Sequence, residues 1–366
     1  MNGQTRPFSV GVIGGTGYVG QRFLTLLEDH PWFSVRRIAA SSRSAGKTLA
    51  EATEGRWKME TPMPESLRDM RVDDLMDLEP FCADVDFVFC AVDMKKEDIR
   101  SMEEDIARLE TPVISNNSAH RWTPDVPVMV PELNADHAVL IEAQRRRLGI
   151  RNGFIAAKPN CSIQSYVPAL HPLRAFGPSV LMVSTCQAIS GAGKTFQDWP
   201  EMERNLIPFI GGEEEKSEQE PLRIWGTLSA DAAGVDLAGS PVISANCYRV
   251  AVAEGHTAAV AVRFDRKPSR EEILSRWATF EGIPQVAGLP SAPKPFLRYF
   301  EENTRPQPIL DRDMGKGMGI AIGRLREDPV LDWKFTCLSH NTIRGAAGGA
   351  ILTAELLVHL GYLVRK

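Results

Sequence analysis

Phe8-Ser9-Val10-Gly11-Val12-Ile13-Gly14-Gly15-Thr16-Gly17-Tyr18-Val19-Gly20 is the stretch from which the fold is read. Its first six residues form a short apolar run of strand length, too short for a signal peptide. Glycines at 14, 17 and 20 follow at once, and residues 18–29 then read as a helix. Strand, glycine turn and helix in that order make a nucleotide loop. The glycines permit a tight turn and a close approach of backbone to a pyrophosphate, which rests on the helix N-terminus beside Thr16, Tyr18 and Val19. Glycine turns before helices also occur without a nucleotide, and the strand–loop–helix context is what argues for one here.

Working outward, residues 35–40 read as a second strand. Residues 85–92 are an almost unbroken apolar run, as expected of a strand buried on both faces. Residues 112–115 and 128–130 look like further short strands. Strands alternating with helices predict an α/β domain with a parallel sheet, over residues 1–157. Beyond that point the pattern changes. Residues 180–189, 242–252, 257–264, 320–326 and 333–338 read as long strands with few helices between them, predicting an α+β domain with a mostly antiparallel sheet over 158–340. Ser269-Arg270-Glu271-Glu272 is a capping box opening a helix through Trp277. Residues 211–220 are polar, a surface loop or helix start, and 345–360 form a packed helix of small and apolar residues.

With 366 residues, 43% of them hydrophobic and 24% charged, the chain can bury the cores of two domains. A net charge of −5 and the lack of a long basic block exclude a nucleic-acid footprint; Arg145-Arg146-Arg147 reads as a solvated helix face. No apolar run reaches membrane-spanning length. The six cysteines show neither Cys-x-x-Cys nor zinc spacing, so no metal is expected, and a reducing cytoplasm is the expected location.

The end of the second strand selects the cofactor. An acidic residue there would bind a ribose hydroxyl and repel a 2′-phosphate. This chain has Ser41-Ser42-Arg43-Ser44-Ala45-Gly46-Lys47 instead. Hydroxyls and a guanidinium favour the phosphate of NADP over NAD, the alternative being a solvated polar turn.

A second signal is Lys158-Pro159-Asn160-Cys161-Ser162. Cys161 follows a strand-like run, 154–157, and precedes a helix running on from Ile163, whose N-terminus is expected to lower the thiol pKa. The alternative is a structural cysteine, which suits Cys82, Cys90 and Cys337 in their apolar segments. His256, in Gly255-His256-Thr257, is the natural proton-transfer partner. Arg249, on the preceding strand, offers a fork for a substrate carboxylate.

These segments together resemble the aspartate-semialdehyde dehydrogenases, in the branch found in archaea and fungi. The resemblance spans essentially the whole chain. It runs through residues 14–20, 41–47, Ser115-Asn116-Asn117-Ser118-Ala119-His120-Arg121, Pro159-Asn160-Cys161-Ser162 and residues 187–193. It continues with Gly212-Glu213-Glu214-Glu215-Lys216, Tyr248-Arg249-Val250, residues 255–257, Asn341 and residues 344–348. It implies a Rossmann-type domain joined to a dimerising α+β domain, with a C-terminal helix, 341–366, returning to the first. Cys161 is then the nucleophile, His256 the acid/base, and Gln187 orients substrate. Arg249 holds the α-carboxylate, Glu213 lies near the amino group, and Asn160 adjoins the substrate. Arg121 and Lys216 bind phosphate, and Ser190, Gly191 and Asn341 lie at the nicotinamide end of the cofactor.

The implied reaction is reversible, NADPH-dependent reduction of L-aspartyl-4-phosphate to L-aspartate-4-semialdehyde through a cysteine thioester. It serves lysine, threonine, methionine and isoleucine biosynthesis. The implied partners are the small substrate and inorganic phosphate, with a homodimer or homotetramer as the assembly and neither nucleic acid nor membrane involved. Two features depart from the family pattern: Lys158, where a neutral residue is more usual, and the segment 194–200. The rival readings are a malonyl-coenzyme A reductase on the same scaffold, an N-acetyl-glutamyl-phosphate reductase, and a non-catalytic NADP-binding homologue.

Overall fold

A computed structural model describes residues 6–366. Six strands form the first sheet: β1 (Phe8–Ile13), β2 (Phe33–Ala40), β3 (Val72–Asp74), β4 (Phe87–Cys90), β5 (Val113–Ser115) and β6 (Ile155–Ala157). Their order is β3-β2-β1-β4-β5-β6, and every pairing is parallel. The order reverses at β1, so a crevice opens there at the carboxyl ends of the strands. The glycine loop leaves β1 at that point and runs into the helix Tyr18–Leu27. Gly14 has φ +85°, and a Cβ on it would lie 2.2 Å from the Ala91 carbonyl oxygen; one on Gly20 would lie 2.1 Å from that of Gly14. Only glycine allows so close a packing of loop, helix and sheet.

Residues 128–130 do not form the expected strand. They make one parallel bridge, Val128 to Ala157. Pro127 and Pro131 bracket the segment, and neither can donate to a ladder.

The second sheet contains β7 (Pro178–Gln187), β8 (Leu206–Ile207), β11 (Val242–Val250), β12 (His256–Phe264), β13 (Leu297–Phe300), β14 (Ile320–Glu327) and β15 (Trp333–Ser339). A small hairpin, β9 (Thr227–Leu228) with β10 (Val235–Asp236), stands apart. The order is β13-β14-β15-β12-β7-β11-β8. The sheet is mixed: most pairings are antiparallel, but β7–β11 and β13–β14 are parallel. The β7–β11 pairing requires a crossover, and the crossing segment carries the helix Glu213–Ile224, which brings Glu213 and Lys216 to the site. One face of the sheet packs on Tyr166, Leu173 and Trp277. On the other face Met182 and Val242 stay 50% and 71% exposed.

The C-terminal helix Gly348–His359 is buried from residue 348 to 357. Ile351, Leu352 and Leu356 join Val12, Phe23 and Phe89 in the core of the first sheet. A helix apolar on all sides finds its place only inside such a core. Among the described residues, no helix is long and apolar enough to cross a membrane.

Glu254 ties the nucleotide-loop helix to the second sheet. Its carboxylate accepts from Arg22 Nη2 at 2.6 Å, Thr342 Oγ1 at 2.8 Å and Tyr18 Oη at 3.1 Å, and lies 3.3 Å from His340 Nε2. Burial acts to raise this carboxyl, but His340, Arg22 and Thr342 outweigh it and hold it well below the usual range. A depressed acid contributes stability that is complete above its unfolded pKa near 4.5 and is lost as the pH falls towards the folded value. Removing one partner strands the other charge inside the protein. Glu254→Ala is therefore expected to lower unfolding free energy by about 3–5 kcal/mol at neutral pH. Denaturant midpoints at constant slope measure it, and a loss below about 1 kcal/mol would reject the buried-pair account.

Candidate active site

Cys161 sits just past β6, at the entrance to a short 3-10 turn, Ser162–Ser165. Asn160 shapes this corner. Its Oδ1 accepts from the Ser162 amide at 2.8 Å and the Ser162 hydroxyl at 2.6 Å, and its own amide donates to Glu220 at 2.6 Å. The corner aims Cys161 Sγ at His256 Nε2, 3.4 Å away. His256 opens β12 and is fully buried. The preceding Gly255, at φ +104°, donates its amide to Asn341 Oδ1 at 2.8 Å. A positive φ next to a functional side chain is the kind of place where glycine is needed.

The protonation of His256 follows from its surroundings. The Ala188 amide donates to Nδ1 at 3.1 Å, so Nδ1 is the acceptor and Nε2 carries the proton, facing the sulfur. Burial first, then the charges of Arg249 and His340, push its pKa well below the ordinary value. The imidazole is neutral and donates to Sγ.

Arg249 on β11 and Gln187 on β7 are register neighbours. Arg249 Nη1 donates to the Ala188 carbonyl at 2.8 Å. Gly191 fills the space against both Arg249 and His256: a Cβ there would lie 2.7 Å from Nη1 and 3.1 Å from the imidazole. Glu213 joins the set from its helix. It accepts from Asn160 Nδ2 at 2.9 Å, Lys216 Nζ at 2.8 Å and Gln187 Nε2 at 3.2 Å. Burial opposes its ionisation, but Lys216, Asn160 and Gln187 together keep it below the usual carboxylate range. The site thus gathers a thiol, a neutral imidazole, a buried guanidinium and a carboxylate.

One expectation is corrected here. The turn after Cys161 is too short to act as a helix N-terminus, and the thiol pKa is raised, not lowered. Burial is the main cause and Glu213 the second, opposed by Lys158, Arg121 and Arg249. Arg121, expected as a phosphate ligand, gives three of its five N–H donors to protein. Nη1 pairs with Glu220 at 2.9 Å, Nε donates to the Lys158 carbonyl at 2.9 Å, and Nη2 donates to that of Asn116 at 3.4 Å. Its charge still reaches Cys161, but a phosphate would compete with Glu220 for the guanidinium. Lys216 is less enclosed and is paired with Glu213.

The crevice at the glycine loop has a volume of about 660 Å³. Gly14, Thr16, Gly17, Tyr18 and Val19 line one side, and Ser41, Arg43 and Ser44 line the end beyond β2. Gly191, Ala192 and Gly193 line the end towards Cys161. A glycine-lined crevice with hydroxyls and a guanidinium at one end, and at the other Gly191, which packs against Arg249 and His256, fits a phosphorylated dinucleotide. Four residues expected here lie outside the lining: Gly20, Ser42, Ser190 and Asn341. Gly20 is a packing spacer behind the loop, and Ser42 turns to solvent. Ser190 lies behind Gly191, where it accepts from Asn341 Nδ2 at 2.9 Å. Asn341 therefore braces Gly255 and Ser190. Sequence reasoning missed Arg56, an exposed guanidinium in the crevice, and the Asn116–Asn117 wall. Nothing local marks Arg56; Gln21 brings it in by bonding both the Thr16 and Arg56 carbonyls, at 3.0 and 2.9 Å.

Comparison with known proteins agrees with this arrangement. A family profile described as "Semialdehyde dehydrogenase, NAD binding domain" matches residues 9–141, and one described as "Semialdehyde dehydrogenase, dimerisation domain" matches 170–344. Aspartate-semialdehyde dehydrogenase from Methanothermobacter thermautotrophicus is 43% identical over 355 residues, 95% of this chain and 98% of that one. The Aspergillus fumigatus enzyme of that name is 40% identical over 365 residues, covering 96% and 98%. The crystal structure of aspartate semialdehyde dehydrogenase with NADP from Candida albicans aligns with a TM-score of 0.85 at 35% identity, covering 98% of this chain and 100% of that chain. With the parallel sheet, the glycine crevice and the Cys161–His256 centre in one arrangement, the chain belongs to the aspartate-semialdehyde dehydrogenase family.

Proposed function

We propose that this protein is an NADP-dependent aspartate-semialdehyde dehydrogenase, reducing L-aspartyl-4-phosphate to the semialdehyde and running in reverse when phosphate is abundant. The observation that carries the reading is Cys161 Sγ at 3.4 Å from His256 Nε2, an imidazole that packs with Arg249 against Gly191 in the wall of the dinucleotide crevice. In the reductive direction the Cys161 thiolate attacks the acyl carbon, phosphate leaves with the bonding electron pair, and a thioester remains on sulfur. The glycine loop and the Ser41–Arg43–Ser44 turn would hold NADPH, which when bound would supply the hydride. The oxygen on the attacked carbon carries the negative charge once hydride has been added; the Nε2–H of His256, presented at the sulfur, can donate a hydrogen bond to it, and its lone pair re-forms the carbonyl as the thiolate leaves, with no net proton transfer.

Arg249 anchors the α-carboxylate, and Glu213 attracts the amino group. Gln187 and Asn160 hold Glu213 in place. Lys216 serves the phosphate, with Arg121 contributing its charge from behind Glu220. The functional domains are residues 1–157 with the returning segment 341–366, and residues 158–340. The dimerisation domain and its half-exposed sheet face support a homodimer or homotetramer. A cytoplasmic location belongs to the same reading.

The malonyl-coenzyme A alternative accounts for the thiol and the crevice but gives Glu213 and Lys216 no task. Phosphate-dependent NADP+ reduction with L-aspartate semialdehyde, beside NADPH oxidation with malonyl-coenzyme A, tests this. Turnover with the second substrate alone would overturn the substrate and keep the nucleophile. The cofactor is tested separately. Arg43→Asp should lower the preference for NADP over NAD in kcat/KM by about 10–100-fold, the worth of one charge-assisted contact to phosphate. An unaltered ratio would remove Arg43 from the 2′-phosphate site.

A further inference from the structure

Asn116 carries a polar group that the protein leaves unused. It stands just past the carboxyl end of β5 and lines the dinucleotide crevice with Ala91, Val92 and Gly191. Its backbone is engaged on both sides: the amide donates to the Cys90 carbonyl at 2.9 Å, and the carbonyl accepts from Arg121 Nη2 at 3.4 Å. Its side chain is not. Oδ1 and Nδ2 are both buried, and neither has a hydrogen-bond partner among the described residues. The next residue shows the contrast, for Asn117 Nδ2 donates to Glu103 Oε1 at 2.9 Å and to Cys90 Sγ at 3.3 Å. A buried amide without a bond is unfavourable, and folded proteins keep few of them. No protein bond holds the Asn116 amide back, so turning it into the crevice breaks nothing, and a partner there relieves it.

The place of Asn116 in the sheet selects the part of the cofactor it meets. Arg43 and its neighbouring hydroxyls follow β2, and β1 and β4 stand between β2 and β5. The two positions are therefore separated by about 14 Å, the width of that many strand spacings. Asn116 lies on the side of the thiol corner. The Lys158 amide donates to the Ser115 carbonyl at 2.8 Å, and the Arg121 guanidinium bonds the carbonyls of both Asn116 and Lys158. Cys161 follows in the same short segment, Lys158-Pro159-Asn160-Cys161. With the 2′-phosphate at the Arg43 end, the ring that exchanges hydride with an acyl group on Cys161 comes to the Asn116 end. Its carboxamide presents a carbonyl and an NH2, the complement of the same groups on asparagine. Asn341, which the family resemblance places at the nicotinamide, already bonds Gly255 and Ser190 and lies outside the lining.

We propose that the Asn116 side chain anchors the nicotinamide ring: its amide turns into the crevice when the cofactor binds and pairs with the ring's carboxamide. The inference rests on the reading of the crevice as the NADP site. Nδ2 donates to the carboxamide oxygen and Oδ1 accepts from the carboxamide nitrogen. The residue contributes affinity and ring orientation, and no covalent bond or proton changes hands.

Equilibrium binding tests this without turnover. Asn116→Leu should weaken NADPH, titrated by its fluorescence, by about 10–100-fold, as expected when an amide pair is lost and the carboxamide is left without partners. Adenosine 2′,5′-bisphosphate, which carries the phosphate-bearing adenosine end and no nicotinamide, should bind parent and variant within about twofold. The unfolding midpoint of the free variant should equal or exceed the parent's, because no protein hydrogen bond is removed. A variant in which both ligands weaken together, or neither does, overturns the proposal. Should Asn116→Leu fail to fold, Asn116→Ala, which only removes atoms, is read in the same way. The acetylpyridine analogue of NADP+, with a methyl in place of the carboxamide NH2, separates the carboxamide from the ribose. The parent's preference for NADP+ over this analogue should shrink by about 3–10-fold in the variant, and an unaltered preference overturns the carboxamide contact. Failure of the parent itself to bind NADPH would instead overturn the cofactor reading, so the two failures are distinguishable.

Discussion

Cys161→Ser is expected to lower turnover by at least about 10⁴-fold while NADPH affinity stays within about twofold. The hydroxyl has nearly the shape of the thiol but is far harder to ionise. The protein around it was built to manage a thiolate: Nε2–H of His256 donates towards Sγ at 3.4 Å, and Lys158, Arg121 and Arg249 supply positive charge. A serine would present a neutral alcohol to an acyl phosphate, and no neighbour is placed to take its proton, because His256 Nε2 is already protonated. The glycine crevice shares no side chain with this centre beyond Gly191, so cofactor binding survives. Steady-state kinetics in both directions, with NADPH titration by fluorescence, checks both halves. Activity within about 10²-fold of the parent would end the thioester mechanism.

For His256→Gln the expected loss in kcat is about 10²–10⁴-fold, with little change in the Michaelis constant for the acyl substrate. Arg249 and Glu213, which bind the substrate in this reading, are held by contacts of their own: the Ala188 carbonyl for Arg249, and Asn160, Gln187 and Lys216 for Glu213. In this reading the imidazole acts on the reacting oxygen, to which its Nε2–H donates a hydrogen bond. Because burial, Arg249 and His340 keep it well below its ordinary pKa, it stays neutral across the neutral range. The pH–rate profile of the parent should therefore show no limb near the ordinary imidazole value of about 6.5 that disappears in the variant. Finding such a limb would mean that His256 titrates as an exposed histidine does, and would overturn the neutral, Nε2-protonated assignment.

Much of this architecture was legible in the linear chain because it depends on local rules. Residues 8–20 carry strand periodicity, a glycine turn and a helix start within one short window, and β1, the loop and its helix formed where they were expected. Glycines at 14 and 20 were necessary because backbone passes within contact distance, a demand that only sequence can meet. The apolar residues around 87–90 announced a strand covered on both faces. Lys158-Pro159-Asn160-Cys161-Ser162 marked the Cys161 corner for the same reason: its geometry is made by Asn160 bonding its own neighbour Ser162.

What the chain determined by itself, then, was the order of its elements, the glycine cradle and the presence of Cys161 and His256. The tertiary structure alone decided their partners and electrostatics. Residues 128–130 had the composition of a strand, but flanking prolines left them one bridge. Nothing in the chain announced the pairing of Arg121 with Glu220, 99 positions away. Lys158 could have faced solvent, yet it is buried with Gly349 of the last helix against its side chain. Glu254 gained its role from Arg22, 232 residues earlier. Periodicity and turn chemistry act over a few residues, whereas burial, charge pairing and the pKa values they set depend on which distant segments pack together.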